Sequence, residues 1–165
     1  MSIKKATVEL LEEYWDPDPA EIDRTDPVPK PRIVEEGTVN PRSHDLSQAD
    51  VIFVKDGGFP VIEPASLGFS EERVEVMLDI DIRTAQGRER LTGDDVNGSY
   101  EGLSGEVNRI FRKNRHGYGG YDVVYQETFD DQMGDYEAGY WGGVWNIKLV
   151  KFAAPIGVSS ENGPS

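Results

Sequence analysis

Three acidic residues at regular spacing are the side chains of this sequence best suited to chemistry. Glu75, Asp79 and Asp81 fall on one side of a segment, residues 73–83, in which apolar and polar residues alternate. Carboxylate oxygens suit hard cations such as calcium or magnesium. No glycine-turned ligand loop of the usual calcium type accompanies them. We therefore favour a solvated, salt-adapted strand face, or the lining of an acidic channel in an oligomer, over a metal site.

Residues suited to covalent or acid–base catalysis are few and scattered. The chain has no cysteine, which excludes disulfides, thiol nucleophiles and iron–sulfur clusters. Its two histidines are His44, in a proline-rich segment, and His116, at the end of a predicted helix. The glycine-rich stretch at 117–120 follows that helix, as a helix cap does, whereas a phosphate-binding loop precedes a helix. The sequence predicts a protein that is not an enzyme and that uses no cofactor and no metal.

One basic cluster stands out in an acidic chain. It lies in the last two turns of a predicted helix at 100–115, where cations interact favourably with the helix dipole. That role, together with solubility, is the favoured interpretation. Docking on an acidic neighbour, including another copy of the chain, is the alternative. The cluster consists of Arg109, Arg112, Lys113 and Arg115, with His116 beside it.

Aromatic residues and glycines dominate residues 133–145, which contain no lysine or arginine. Aromatic anchors in loops are enriched at protein–protein contacts, although they also form ordinary lids over a core. The last predicted strand, 144–152, carries large apolar groups on both faces, so we expect something to cover its second face. The predicted interface consists of Met133, Tyr136, Tyr140, Trp141, Val150 and Phe152.

The chain is strongly acidic, since 31 acidic and 17 basic residues give a net charge of −14. Such a charge opposes compaction at low ionic strength, and molar salt, with a screening length of about 3 Å, removes most of that repulsion. We expect adaptation to the salt-rich interior of a halophile, with an ordinary acidic protein as the alternative. Affinity for the nucleic-acid backbone is disfavoured because neutralising phosphates needs a basic surface. No stretch approaches the roughly 20 apolar residues of a membrane span, so no membrane contact is expected.

The pattern of apolar residues predicts an α+β fold. Spacings of three and four residues predict a helix over 3–15, with Ser2 as its N-cap, and a second helix at 100–115. An antiparallel four-stranded sheet with both helices packed on one face satisfies the resulting order α-β-β-α-β-β. The four strands are predicted from alternation or from apolar runs at 51–54, 73–83, 121–129 and 144–152.

Two stretches fall outside the compact core, which is expected at residues 49–153 and is completed by the N-terminal helix, 1–15. Residues 16–48 are proline-rich and acidic with few apolar residues, which predicts a long arm or linker. Residues 154–165 are polar, which predicts a disordered tail.

The order of these elements and several local stretches resemble the tail terminator, or tail completion, proteins of tailed double-stranded DNA viruses. The stretches are ADVIFV at 49–54, VMLDIDIR at 76–83 and LSGEVNRI at 103–110, followed by the acidic pair at 130–131 and a closing strand. The resemblance covers residues 49–153, and residues 16–48 have no clear counterpart in the family.

The resemblance implies a structural virion protein without catalytic residues. Members of that family form a hexameric ring that caps the finished tail tube and joins it to the head–tail connector in the neck. The implied partners are other copies of the chain, a tail tube protein and a head–tail connector or adaptor protein, while DNA passes without specific binding. The implied location is the tail and neck of the virion, after assembly in the host cytoplasm. A virus of a halophilic archaeon would account for the acidity.

A ring requires a heterologous, closing interface on each subunit, for which the last strand and the aromatic segment are candidates. In such a ring Glu75, Asp79 and Asp81 would face the lumen, where an acidic surface lets DNA slide. Two other functions stay open: another neck component, such as a head completion or adaptor protein, and an intracellular module of a halophile that binds a partner at its sheet edge. A metal hydrolase with oxygen ligands is the least supported.

Overall fold

The computed structural model describes residues 2–15, 28–35, 50–64, 71–92, 102–135 and 140–153. The predicted disordered tail, 154–165, lies outside them. The helices are α1 (Ile3–Tyr14), α2 (Arg88–Thr92) and α3 (Gly102–Lys113). The strands are β1 (Arg32–Glu35), β2 (Val51–Asp56), β3 (Val61–Pro64), β4 (Glu72–Thr84), β5 (Val123–Asp135) and β6 (Tyr140–Ala153).

The described strands form one sheet in the order β1-β2-β4-β6-β5. Strand β3 pairs with the first residues of β4, beyond the end of β2, so the sheet is β3-β4-β6-β5 at that end. Strand β1 runs parallel to β2, and all the other pairs are antiparallel. The prediction of an antiparallel four-stranded sheet with two helices is therefore wrong. The fold is α+β, but the sheet is mixed and has additional strands, and there is a third helix.

The additional elements have only four or five residues each, and β1 and β3 lie beside prolines, which is why periodicity did not reveal them. Strand β1 has four residues and lies inside the predicted arm, residues 16–48. Its first residue, Arg32, donates its backbone N–H to the carbonyl of Asp50 at 2.8 Å. Just before it, the Val28 carbonyl accepts a hydrogen bond from the indole of Trp15 at 2.9 Å. Part of the predicted arm is thus an edge strand of the sheet; residues 16–27 and 36–48 lie outside the described residues.

The hydrophobic core lies between the helices and one face of the sheet, called the inner face here. Alternation along a strand puts every second side chain on this face, and the others form the outer face. The inner face contributes Ile52 and Val54 of β2, Leu78, Ile80 and Ile82 of β4, and Ile147 and Leu149 of β6. The helices contribute Leu10, Leu11, Leu91, Leu103, Val107, Ile110 and Phe111.

Local signals in the sequence explain where α1 begins and why the chain turns after α3. Helix α1 starts at the predicted N-cap, where the Ser2 hydroxyl accepts a hydrogen bond from the Lys5 N–H at 3.1 Å. Helix α3 is followed by Gly117, whose φ of +111° and close approach to the backbone of Tyr121 exclude a larger residue. None of the described helices has the length and hydropathy of a membrane span.

Candidate functional site: the outer face of the sheet

The three acidic residues predicted as a row lie on the outer face of β4. Pairing with β2 places Asp81 beside Phe53 and Asp79 beside Lys55. Glu75 lies nearer the β3 end of the strand, opposite Val61. Alternation brings the three carboxylates to one face, as the sequence indicates, but each has a different environment.

Asp81 is a buried carboxylate held by two cations. Only 1% of the residue is exposed. Lys55 donates from Nζ to Oδ2 at 2.8 Å, and Arg83 donates from Nε to Oδ1 at 2.8 Å and from Nη2 to Oδ2 at 3.0 Å. The ring of Tyr140 lies 4.8 Å from the Arg83 guanidinium carbon. Asp81 is therefore the centre of an internal ion cluster that joins β2 to β4.

Glu75 is also paired with two cations, one from its own strand and one from β6. Its carboxylate lies 2.6 Å from Nη1 of Arg73 and 3.4 Å from Nζ of Lys148. The hydrogen bond from Arg73 is the main cause that lowers the pKa of Glu75 below its ordinary value. Arg73 also lies 3.2 Å from Glu63 of β3, so the cluster spans three strands.

Asp79 lies between these two clusters in a less favourable environment. Burial raises its pKa above the ordinary value; attraction to Lys55 opposes this shift and repulsion from Asp81 adds to it. The turn after β2 passes close to this side chain, since a Cβ at Gly57 would lie 2.9 Å from Asp79 Oδ1.

The acidic row is therefore compensated within a single copy of the chain. The same stretch of outer face carries four cations, and the central carboxylate of the Asp81 cluster is buried. An open acidic surface along this row, on which the predicted lumen depended, is not what the structure presents. The cations are Lys55, Arg73, Arg83 and Lys148.

Two matched substitutions should change the stability in opposite directions. The pKa of Asp79 is raised by folding, so its ionised form costs stability at neutral pH and Asp79→Asn should stabilise the fold. The pKa of Glu75 is lowered by folding, so its ionised form adds stability above the unfolded pKa and Glu75→Gln should destabilise the fold. We expect each change to be below about 1 kcal/mol.

Denaturant unfolding at several pH values tests this pair. The gain of Asp79→Asn should disappear as the pH falls below the unfolded value of 3.8, and the loss of Glu75→Gln should shrink as the pH falls below 4.5. Shifts of the same sign in the two variants at pH 7 would contradict the assignment of the two environments.

The six residues of the predicted interface occupy very different positions. Val150 is buried on the outer face, and Phe152, two residues further along β6, is 49% exposed. Tyr140 packs against Arg83, and Trp141 is half-buried on the inner side of β6. Tyr136 and the side chain of Met133 lie outside the described part of the chain. Among the four whose side chains the structure describes, Phe152 alone stands out as an exposed apolar group.

The predicted basic cluster is divided by the fold. Arg109 turns inward, where it binds the carboxylate of buried Glu106 and donates to the carbonyl of Tyr14 at 2.5 Å. Lys113 lies with its Nζ 5.3 Å from the centre of the Tyr14 ring, and its side chain is exposed. The exposed cluster, called the α3 end here, consists of Arg112, Lys113, Arg115 and His116.

A buried polar cluster around Asp50 is a site that the sequence reasoning missed. Asp50 Oδ1 accepts from the Thr84 hydroxyl at 2.5 Å, and Oδ2 accepts from Nε of Arg90 at 2.8 Å. Arg90 also donates from Nη2 to the Pro29 carbonyl at 2.7 Å. This cluster fastens the segment before β1 to β2, β4 and α2. The only signal in the sequence was an aspartate directly before an apolar strand.

Exposed apolar residues gather at the β3 end of the sheet, which the sequence reasoning also missed. Phe59 is 92% exposed in the turn that leads into β3. Val61, the first residue of β3, lies on the outer face opposite Glu75. We call this group the apolar end surface; it consists of Phe59, Val61, Ile62, Tyr125 and Phe152. Val61, Tyr125 and Phe152 lie on the outer face, whereas Ile62 lies opposite Val74 on the inner face.

The centre of the outer face is closed. Val51 and Phe53 of β2 and Val150 of β6 are buried on it, together with Asp81. The apolar end surface lies beyond these buried residues.

No group of three or more His, Cys, Asp or Glu side chains in the described ranges is arranged to hold a metal ion. Comparison of the sequence with protein-family models gives no match, and comparison with curated proteins gives no significant match.

Proposed function

We propose that this chain is a structural virion protein, the tail terminator of a tailed virus of a halophilic archaeon. In this role it forms a ring that caps the tail tube and joins it to the head–tail connector. The resemblance of the sequence over residues 49–153 suggests the family. The observation that carries the proposal is the apolar end surface, because it provides each copy with an exposed surface for subunit contact.

The exposure of this surface is unusual for a chain that acts alone. Exposed apolar residues that gather at one end of a sheet favour an interaction site, whereas single exposed apolar residues are common. Here Phe59 projects almost entirely into solvent, and Val61, Ile62 and Phe152 are each about half exposed. Aromatic side chains that become buried on association contribute much of the binding energy of interfaces. The surface therefore fits a contact that is completed only in an assembly.

The charged side chains of the outer face also fit a structural role. Asp81 forms ion pairs with Lys55 and Arg83, and Glu75 forms ion pairs with Arg73 and Lys148. Ion pairs that join neighbouring strands stiffen the sheet against relative movement. A rigid sheet with one exposed end suits a subunit that must dock repeatedly in the same geometry.

The charge of the chain determines when such an assembly forms. Copies that each carry −14 repel one another at low ionic strength, which opposes association. Molar salt screens this repulsion, and apolar contacts persist in it. A ring of this protein should therefore form in molar salt and dissociate on dilution of the salt.

Multi-angle light scattering in about 2 M potassium chloride, with a screening length of only 2–3 Å, tests the proposal. The expected mass is about six times the subunit mass of 18.4 kDa, falling towards one subunit in dilute salt. A single subunit mass at every protein and salt concentration at which the chain is folded would overturn the proposal. If the ring forms, its binding to the ends of tail tubes would identify its position in the particle.

A binding module that captures an extended peptide is the second candidate. It is favoured by the outer edge of β3, with which no strand in the described part of the chain pairs. An exposed edge can accept an additional strand. A monomer that is stable in molar salt would favour this function over the ring.

A further inference from the structure

The β3 end of the sheet has two margins of different character. Because the strands there lie in the order β3-β4-β6-β5, one margin is β3 and the other is the beginning of β5. The α3 end lies at the second margin, where the Arg115 carbonyl accepts a hydrogen bond from the N–H of Val124 at 3.1 Å. Three strand spacings of about 4.8 Å separate the margins. The two margins are therefore separate surfaces of one copy.

The β3 margin is apolar and acidic. Its apolar part is formed by Phe59, Val61 and Ile62, which are the exposed residues at the start of β3. Glu63 follows in the same strand, where its half-exposed carboxylate lies 3.2 Å from Arg73, and Glu71, directly before β4, is exposed. A partner for this margin must therefore offer both an apolar contact and positive charge.

The α3 end offers the complementary chemistry. Arg112, Lys113 and Arg115 are exposed, so three cations are presented together in a chain whose net charge is −14. Arginine and lysine side chains combine long apolar stems with a charged head. Such stems can cover an aromatic ring while the heads reach neighbouring carboxylates.

We propose that the β3 margin of one copy binds the α3 end of the next copy, an inference that rests on the proposed function and identifies its subunit interface. Phe59 and Val61 pack against the stems of the α3 end, and Glu63 and Glu71 pair with Arg112 and Arg115. The contact joins two different surfaces of the same chain, so it is heterologous and repeats from copy to copy until a ring closes. Charge complementarity at this contact offsets part of the repulsion between acidic copies.

Charge reversal on each side of the contact tests the pairing. Glu71→Lys and Arg115→Glu should each weaken self-association about tenfold in roughly 0.5 M salt, where the screening length is still about 4 Å. The double variant, with the net charge restored, should associate within about threefold of the original chain. Sedimentation velocity measures the association, and circular dichroism checks that each variant is folded.

Two controls carry the same charge changes far from the contact. Glu89 is exposed on α2, which follows the opposite end of β4, and Arg32 is exposed on β1, which pairs with β2 near that same end. Glu89→Lys and Arg32→Glu change the net charge by the same amounts as the test variants, so they measure the effect of overall repulsion. A response of the test variants no larger than that of these controls would overturn the inference.

Phe59→Ala provides an independent arm, because a side chain that is 92% exposed contributes little to the fold of one copy. We expect this variant to weaken association at least about tenfold in molar salt, with unchanged thermal unfolding in dilute salt. If the original chain assembles and Phe59→Ala assembles equally well, the interface is wrong while the proposed function stands. If the original chain never assembles, the proposed function itself fails.

Discussion

Asp81→Ala is expected to lower the free energy of unfolding by about 3–4 kcal/mol. The carboxylate accepts three hydrogen bonds from Lys55 and Arg83, and the residue is 1% exposed. Its removal leaves two cations side by side in a partly buried site, which costs more than the loss of the hydrogen bonds alone. Because small domains are stable by only about 5–15 kcal/mol, such a loss is a large fraction of the total.

Denaturant unfolding at fixed salt measures this effect, with Glu9→Ala as the matched control. Glu9 is exposed in the middle of α1, so its removal changes the net charge by the same amount without breaking a buried pair. The control should change the stability by less than about 0.5 kcal/mol. If Asp81→Ala costs no more than the control, the outer-face ion cluster contributes nothing to the fold and our description of it is wrong.

Asp50→Ala should cost a similar amount, about 3 kcal/mol, and should in addition release one segment of the chain. Asp50 holds Arg90, and Arg90 in turn holds the carbonyl of Pro29. Without the carboxylate, the Arg90 guanidinium loses its partner and no longer fixes the chain ahead of β1. Backbone amides of residues 28–35 should then exchange with solvent much faster than those of β4.

Hydrogen exchange with mass spectrometry resolves this difference between segments. Lys30→Ala is the control, because Lys30 is exposed and its Nζ donates to the Glu12 carbonyl of α1 at 3.2 Å, away from the Asp50 cluster. It should leave the protection of 28–35 almost unchanged. Equal protection of this segment in Asp50→Ala and in the original chain would show that the Asp50 cluster does not hold β1 in place.

The sequence predicted the long periodic elements well. Alternation over 73–83 corresponds to β4, and the three- to four-residue spacing and Ser2 correspond to α1 and its cap. Each of these signals extends over ten or more residues, so tertiary context does not override it. Strands β1 and β3 have only four residues each and lie beside prolines, and pairing with β2 and β4 stabilises them. Periodicity carries no information about such pairing.

The environment of the acidic residues was the part that the sequence could not show. Alternation places Asp79 and Asp81 on one face, but it does not show which of them is buried. That depends on the register with β2, which brings Lys55 to both residues from more than twenty positions away. The inward turn of Arg109 likewise depends on the carbonyl of Tyr14, which belongs to a distant helix. Contacts between residues far apart in the sequence therefore determine which charged side chains of the site are buried and which partners they bind.

The apolar end surface connects the fold to the proposed function. Phe53 and Val150 are buried at the centre of the outer face, whereas Phe59 at the β3 end is 92% exposed. A single copy therefore completes its core and leaves one margin exposed. In the proposed ring this margin is where the next copy sits, and the assembled edge presents a repeating surface to the tail tube and the connector.

Electron microscopy of the purified protein, negatively stained from molar salt, shows whether copies of the chain close into a ring. We expect closed rings of uniform size with a central opening, and we expect them to disappear when Phe59 is replaced by alanine. A field without rings, at salt and protein concentrations at which circular dichroism shows the chain to be folded, would contradict this expectation.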